Sequence, residues 1–127
     1  MGRIIENPGL YRMEIRDGIL FSDISQGSEY NLERARMLID DYIELSGGKK
    51  IPICHDMCGI KSTTADAMKY VSSDKAASVI KALGMINNSP ISRVIGNLFM
   101  GLRKPPYPAK IFGNQEDTLK WLEQFKE

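Results

Sequence analysis

Short apolar runs alternate with amphipathic helical patterns along most of this 127-residue chain, and this alternation restricts the fold more than any other feature. The run at residues 79–86 is almost continuously apolar, and Gly84 and the following Asn87-Asn88 favour a strand over a helix there. Such a strand is typical of a parallel sheet that helices cover on both faces. Helical connections between single strands imply parallel crossovers onto one sheet. The sequence therefore predicts an α/β fold, and its length predicts one domain over residues 1–127.

The N-terminal part predicts a β-hairpin ahead of the alternating region. Residues 11–16 alternate between apolar and charged side chains, which is the pattern of a half-buried strand. Asp17-Gly18 is a turn pair that tolerates positive φ, and residues 19–24 have the composition of a second strand. Two further short apolar runs lie at residues 51–54 and 109–112. The predicted order of elements is therefore β-β-α-β-α-β-α-β-α.

Each predicted helix begins at a residue whose side-chain oxygen can accept a hydrogen bond from a free backbone N–H. The candidate caps, in chain order, are Asn31, Thr63 or Thr64, Ser89 and Asn114. Pro90 suits the first helical position after Ser89, because proline has no N–H that needs a partner there. We expect Ser72-Ser73-Asp74 to interrupt the second helix.

Charge and hydropathy exclude several classes of function. The formal net charge of +1 predicts no nucleic-acid partner, and no apolar run approaches the roughly 18 residues of a membrane span. The N-terminus lacks the apolar segment of a signal peptide, so a cytoplasmic protein is expected. Two cysteines, Cys54 and Cys58, fit reduced thiols in that compartment better than a disulfide framework.

Several short motifs follow one another in an order that resembles a known family. They are Asp17-Gly18-Ile19, Asp56-x-x-Gly59-Ile60, Asn88-Ser89-Pro90, the segment 93–97, and Ile111-Phe112 with Trp121-Leu122. Together with the order of elements they resemble the SpoIIAA-like, or STAS, fold, and more closely the small bacterial proteins described as STAS/SEC14 domain-containing. The resemblance implies a SpoIIAA-like mixed sheet with helices packed on it.

The same resemblance implies a site after the third predicted strand. In anti-sigma-factor antagonists of the STAS family, an Asp-x-Ser-Gly-like turn precedes a phosphorylatable Ser or Thr at the start of the second helix. Asp56 and Gly59 match the turn, although the usual Asp-Ser-Ser-Gly is absent. The implied partner-binding loop comprises Asp56, Met57, Gly59 and Lys61, and the candidate phosphoacceptors are Ser62, Thr63 and Thr64. The alternative is that one hydroxyl only caps the helix.

Cys54, His55, Asp56 and Cys58 are residue types that bind metals, but their spacing argues against a metal site. Side chains alternate along a strand, so Cys54 and Asp56 share one face and His55 lies on the other. Cys-x-x-x-Cys also lacks the second ligand pair of a structural zinc site. A buried thiol and a loop histidine are the expected outcome. The sequence pattern does not identify a nucleophile together with a base and an orienting group. No catalytic residue and no cofactor are therefore expected.

The segment 90–112 carries basic residues and no acidic ones. The basic residues are Arg93, Arg103, Lys104 and Lys110. An apolar helix with a basic end can lie on an anionic membrane or dock on an acidic partner, or it can pack on the sheet with its cations in water. The leading expectation is a non-enzymatic regulatory module that binds a protein or a second copy of itself. The alternative is a small-ligand or lipid-binding protein of the SEC14-like type.

Overall fold

The computed structural model describes residues 3–102 and 104–126, without the side chain of Leu102. The strands are β1 (Ile4–Asn7), β2 (Tyr11–Arg16), β3 (Ile19–Ile24), β4 (Ser28–Tyr30), β5 (Ile51–Asp56), β6 (Ile60–Thr63), β7 (Ile80–Ile86) and β8 (Ala109–Phe112). The helices are α1 (Leu32–Ser46), α2 (Ala65–Val71), α3 (Asp74–Ala77), α4 (Pro90–Leu102) and α5 (Gln115–Leu122), and a 3₁₀ turn at Glu123–Phe125 follows α5.

Six strands form one mixed sheet in the order β1-β2-β3-β5-β7-β8. The first three strands are antiparallel, and β3, β5, β7 and β8 are parallel to one another. The predicted hairpin is confirmed, with its turn at Asp17 (φ 48°) and Gly18 (φ 77°). The predicted buried strand is confirmed as β7, which lies between β5 and β8. The α/β class and the mixed sheet predicted from the sequence are therefore correct.

Three strands were absent from the predicted order. Strand β1 pairs with β2 at the edge of the large sheet, while β4 and β6 pair in parallel as a separate two-stranded sheet. Gly27 N–H donates to the carbonyl of Gly59 at 2.7 Å, which ties the start of one short strand to the other. Strands β4 and β6 are short and mostly polar, and they pair across a long sequence separation, so local periodicity does not reveal them. The interruption at Ser72-Ser73 separates α2 from α3, as expected.

Helices cover the sheet on both faces, which explains the continuous apolar character of β7. On one face α1, α2 and α4 pack over the larger core, which includes Ile39, Ile53 and Leu83. On the other face α5 packs over a smaller core that includes Cys54 and Leu122. Successive side chains of β5 therefore enter different cores, as the alternation along a strand requires.

Replacement of Gly84 by alanine tests the contact between β7 and α5. A Cβ at Gly84 would lie 2.5 Å from Cγ2 of Thr118. Thr118 is fully buried, and its hydroxyl donates to the carbonyl of Asn114 at 2.7 Å, so the side chain cannot rotate away without losing that bond. We expect Gly84→Ala to lower the free energy of unfolding by about 1–3 kcal/mol, measured by urea denaturation.

Gly113→Ala is the matched control for this substitution. A Cβ there would have no described atom within 4 Å, and Gly113 is not among the glycines with positive φ. Its effect should stay within about 0.5 kcal/mol. Equal destabilisation by the two substitutions would show that the close contact with Thr118 is not the cause of the loss of stability at Gly84.

Candidate functional site

The carboxyl ends of β3, β5 and β7 meet at one edge of the sheet, because these strands are parallel. The residues 56–59, called here the β5–β6 loop, leave the sheet at this edge. Two asparagines, Asn87 and Asn88, follow β7 at the same place. Functional groups of open α/β sheets are commonly located beyond such strand ends.

The β5–β6 loop is held by hydrogen bonds within the protein. The carboxylate of Asp56 accepts from the backbone N–H of Cys58 at 3.0 Å, and Met57 N–H donates to the carbonyl of Ile86 at 3.0 Å. At Gly59 a Cβ would lie 2.8 Å from the carbonyl oxygen of Ile24, so a larger residue does not fit without displacement of the main chain. Asp56 and Gly59 therefore give the loop its shape. Met57, expected in a contact loop, is only 5% exposed and packs in the core.

The loop is also joined to the start of α4. Cys58 Sγ lies 3.0 Å from the side-chain oxygen of Asn88 and donates to it, since burial raises the pKa of the thiol and keeps it protonated. Asn88 Nδ2 donates in turn to the carbonyl of Gly113 after β8. Ser89 caps α4 as predicted, because its hydroxyl accepts from the N–H of Ser92 at 3.2 Å. The loops after β5, β7 and β8 thus form one connected edge.

The three candidate phosphoacceptors lie in three different environments. Ser62 is on β6, with its Oγ 3.5 Å from the carboxylate of Glu29, and Thr63 on the same strand is half-buried and faces the core. Thr64 is exposed and is the cap of α2, where its Oγ1 accepts from Ala67 N–H at 3.3 Å. The hydroxyl of Thr64 also donates to the carboxylate of Asp66, which lowers the pKa of that group.

The candidate cations that the structure describes lie on different elements. Arg93 is exposed and lines a shallow groove beside β8, and Lys110 on β8 lies 5.5 Å from the centre of the Phe112 ring. Lys104 is exposed beyond the end of α4, and Lys61 is exposed on β6. Arg103 lies outside the described residues.

Three large apolar side chains of α4 are exposed to solvent. They are Ile91, Val94 and Leu98, with relative exposures of 49%, 59% and 52%. Together they are called here the α4 stripe. Ile95 and Phe99 instead pack in the core. The broad apolar arc of this helix was visible in the sequence, but its division into a buried part and an exposed part was not.

The α4 stripe is on the flank of the helix that faces away from β8. Gly96 approaches Asn87 and Ile111 closely, and Asn97 lines the groove with Ile111, so that flank adjoins β8. At 100° per residue, the stripe falls on the opposite side of the buried sector. There α4 contacts β6 and α2. The stripe therefore borders β6 and α2, and the β5–β6 loop is joined to the segment just before the same helix.

The half-buried ring of His55 forms a polar cluster with the buried side chains of Ser22 and Tyr42, and sequence reasoning missed this cluster. The histidine Nδ1 lies 3.1 Å from Ser22 Oγ and 3.2 Å from the Tyr42 hydroxyl, which are themselves 2.8 Å apart. Burial lowers the pKa of His55 to about 4, so the ring is neutral at physiological pH. The expectation of a loop histidine is wrong, because the residue lies within β5 and its ring enters the larger core.

The two thiols are kept apart from the histidine. Cys54 points to the opposite face, toward α5, as strand alternation predicts, and burial raises the pKa of its thiol to about 12. Within residues 3–102 and 104–126, no three His, Cys, Asp or Glu side chains come together in a way that could hold a metal ion.

Comparison with solved structures identifies the class of fold. An anti-sigma factor antagonist from Mycobacterium paratuberculosis is similar over 94% of this chain and 99% of that one, with a TM-score of 0.67 and 16% identity. An uncharacterised protein of the DUF3478 family from Shewanella loihica PV-4, described as having a SpoIIAA-like fold, is similar over 96% and 95%, with a TM-score of 0.60 and 15% identity. The chain thus has a SpoIIAA-like fold, which confirms the resemblance predicted from the sequence.

The sequence also places the chain in a particular family. Residues 13–126 match the family described as Domain of unknown function (DUF7793), and the chain belongs to it. No curated protein matches the sequence. Among the described residues, none of the helices combines the length and the apolar character that crossing a membrane requires.

The low pKa of His55 predicts how stability depends on pH. The unfolded chain binds a proton on this residue below about pH 6.5, whereas the folded protein does so only below about pH 4. Between these values the unfolded state holds more protons, so a fall in pH favours unfolding. The free energy of unfolding should fall by up to about 1.4 kcal/mol per pH unit in this window, and by ~3 kcal/mol across it.

His55→Asn isolates this contribution, because its amide oxygen can replace Nδ1 as an acceptor but does not titrate. Urea denaturation at pH 7, 6 and 5 should show the difference in stability between wild type and variant shrinking as pH falls. Parallel profiles for the two proteins would contradict the assignment of a neutral, buried ring.

Proposed function

We propose that this protein is a non-enzymatic protein-interaction module that binds its partner through the α4 stripe and the adjoining β5–β6 loop. The exposure of Ile91, Val94 and Leu98 on one flank of α4 is the observation that carries the proposal. Single exposed apolar residues are ordinary, but three on adjacent turns of one helix form a patch of the kind that marks contact sites.

The surroundings of the stripe fit an interface. β6 and α2 both contact α4 and carry exposed polar groups such as Lys61 and Asp66, and interfaces commonly combine an apolar centre with a polar rim. The β5–β6 loop is fixed by Asp56 and Gly59 before any partner arrives, so its ordering would cost little on binding.

The comparison with the anti-sigma factor antagonist supports this proposal by analogy. The name of that protein describes action against another protein, an anti-sigma factor. A shared fold at 16% identity does not transfer a partner, but action of that neighbour against another protein is consistent with a role of this fold in protein interaction.

Ser22 and His55 have the residue types of a catalytic pair and lie next to each other in the structure. Ser22 Oγ and His55 Nδ1 lie 3.1 Å apart, as a nucleophile and its base would. Ser22 is fully buried, and its neighbour Tyr42 is 2% exposed, so a substrate cannot reach the hydroxyl. This pair supports the non-enzymatic proposal because its groups satisfy one another within the core.

Substitutions in the α4 stripe test the proposed interface. Leu98→Glu and Val94→Glu should each reduce recovery of the partner by roughly tenfold or more, since apolar groups at the centre of an interface carry much of the binding energy. Both side chains are more than half exposed, so the free energy of unfolding should change by only about 0.5 kcal/mol. The measurement is quantitative mass spectrometry of proteins retained by each tagged variant in extracts of the native cell.

Met37→Glu is the matched control, because Met37 is a similarly exposed apolar residue on α1. Its retained proteins should be those of the wild type. Sedimentation of each variant alone would show whether the partner is a second copy of the chain. Retention of the same proteins by Leu98→Glu and Met37→Glu, with unchanged sedimentation, would refute the interface.

The proposal extends to a switch at the start of α2, with Thr64 as the modified residue. Thr64 is exposed, and a phosphate there would meet the free N–H groups of the first turn and add about −1.5 to −2 charges at the start of α2, a helix that contacts α4. Asp66 opposes this by charge repulsion. Ser62 and Thr63 are poorer candidates, because one hydroxyl already faces Glu29 and the other faces the core.

Phosphosite mapping of the protein from its native cell tests this switch. We expect one phosphate per chain on Thr64, and none on Ser62 or Thr63. Thr64→Asp should change partner recovery several-fold, whereas Thr64→Ser should behave as wild type because serine both caps a helix and accepts phosphate. Protein that is unmodified at intact mass under all growth conditions, or a phosphate only on Ser62, would reject Thr64 as the switch.

A further inference from the structure

A cavity of about 80 Å³ lies between the sheet and the helices α1, α2 and α4. Its lining is almost entirely apolar and is rich in flexible side chains. The main contributors are Met57, Met68, Met85, Ile95, Phe99 and His55. Thr63 at the end of β6 and Met68 and Val71 on α2 are partly exposed, so the cavity wall reaches solvent on this side.

The polar side chains in the cavity wall are His55, Tyr30 and Thr63, and the Tyr30 hydroxyl donates to the carbonyl of Leu10. The Nδ1 of His55 is engaged with Ser22 and Tyr42, while its Nε2 forms no hydrogen bond with any described residue. Every fully buried side-chain nitrogen or oxygen in the described part of the chain has a partner, so Nε2 must retain accessible surface. The ring is half-buried and lines the cavity, and we infer that this surface faces the cavity.

The hydrogen bonds of the cluster determine which ring nitrogen carries the proton. If Nδ1 accepts, the Tyr42 hydroxyl donates to Ser22 and the Ser22 hydroxyl donates to Nδ1, so both hydroxyl hydrogens are used. If Nδ1 carries the hydrogen, three hydrogens share two hydroxyl oxygens, and one of them has no acceptor among the described residues. Because an unsatisfied buried donor is costly, the first arrangement is favoured. The neutral ring then presents Nε2–H to the cavity.

We propose that this cavity binds a small, neutral, apolar molecule with one acceptor oxygen, which accepts a hydrogen bond from Nε2–H of His55. The described lining residues include no Lys, Arg, Asp or Glu, so a charged group would be desolvated there without an ion partner. A molecule without an acceptor would leave the Nε2–H unpaired. This proposal does not rest on the surface proposed for protein binding.

The volume limits the size of the ligand. An engineered cavity of about 150 Å³ accommodates benzene, so about 80 Å³ suits a slightly smaller group in the conformation described. Methionine side chains change rotamer easily and can enlarge the space. A five-membered ring with a carbonyl is therefore a suitable probe.

Cyclopentanone and methylenecyclopentane form a matched pair, because they have the same ring and differ in an oxygen against a CH₂ group. The chain has one histidine, so long-range ¹H–¹⁵N spectra of the imidazole are unambiguous. We expect the free protein to show the Nε2–H tautomer. Cyclopentanone should shift Nε2 and the methyl signals of Met57, Met68 and Met85 saturably, and should bind roughly tenfold more tightly than methylenecyclopentane.

Ala67→Leu places a larger side chain in the cavity wall without altering His55, and it should abolish saturable binding. Ala65→Leu is the same change at an exposed position of the same helix, and it should leave binding unchanged. An Nδ1–H tautomer, equal affinity for the two probes, absence of saturation, or wild-type binding by Ala67→Leu would each overturn the proposal.

Discussion

Burial of β5 and β7 on both faces is the constraint on which the rest of the structure depends. The two strands pair with each other and with β3 and β8, so their main-chain groups are satisfied within the sheet. Each side chain that is covered on its face of the sheet must then be apolar or find a partner inside the protein. Ile53 and Cys54 meet the first requirement, and His55 meets the second through Ser22 on β3 and Tyr42 on α1.

The same parallel pairing places the candidate site. Where β5 and β7 end, the free main-chain groups are satisfied by the neighbouring strand end, as in the bond from Asn87 N–H to the carbonyl of Phe112. These hydrogen bonds fix the first residue of each connecting loop to the sheet. The side chains beyond it, Cys58 and Asn88, then link the loops to one another. A rigid edge follows from the sheet itself, and the exposed flank of α4 extends from that edge.

Local features of the fold could be predicted from the sequence, and features that depend on distant pairing could not. The hairpin turn at Asp17-Gly18 and the caps at Asn31, Ser89 and Asn114 involve neighbours in sequence, so residue type was sufficient. The pairing of β4 with β6 was missed because neither strand has enough apolar residues to be recognised alone. The hydroxyls of Ser62 and Thr63 were therefore placed near a helix start, although they lie on a strand.

The candidate site shows the same limit. Alternation along β5 correctly separated Cys54 from His55, but the partners of His55 come from elements far away in the sequence. For α4, periodicity revealed a broad apolar arc, but only the position of the neighbouring elements decides which part of it is covered. Ile95 is 9% exposed and Val94, the preceding residue, is 59% exposed.

Helix α4 connects the two proposed sites, because its inner side lines the cavity and its outer side carries the stripe. Ile95 and Phe99 contact the space beside His55, and Val94 and Leu98 belong to the same turns of the same rigid element. A molecule that enlarges the cavity must displace the methionines, or α4 itself. In the second case it changes the position of the stripe, and by thermodynamic linkage a partner on the stripe must alter the affinity of the cavity by the same factor. If only the methionines move, their rotamer changes accommodate the ligand while α4 stays in place. The cavity and the stripe then bind independently.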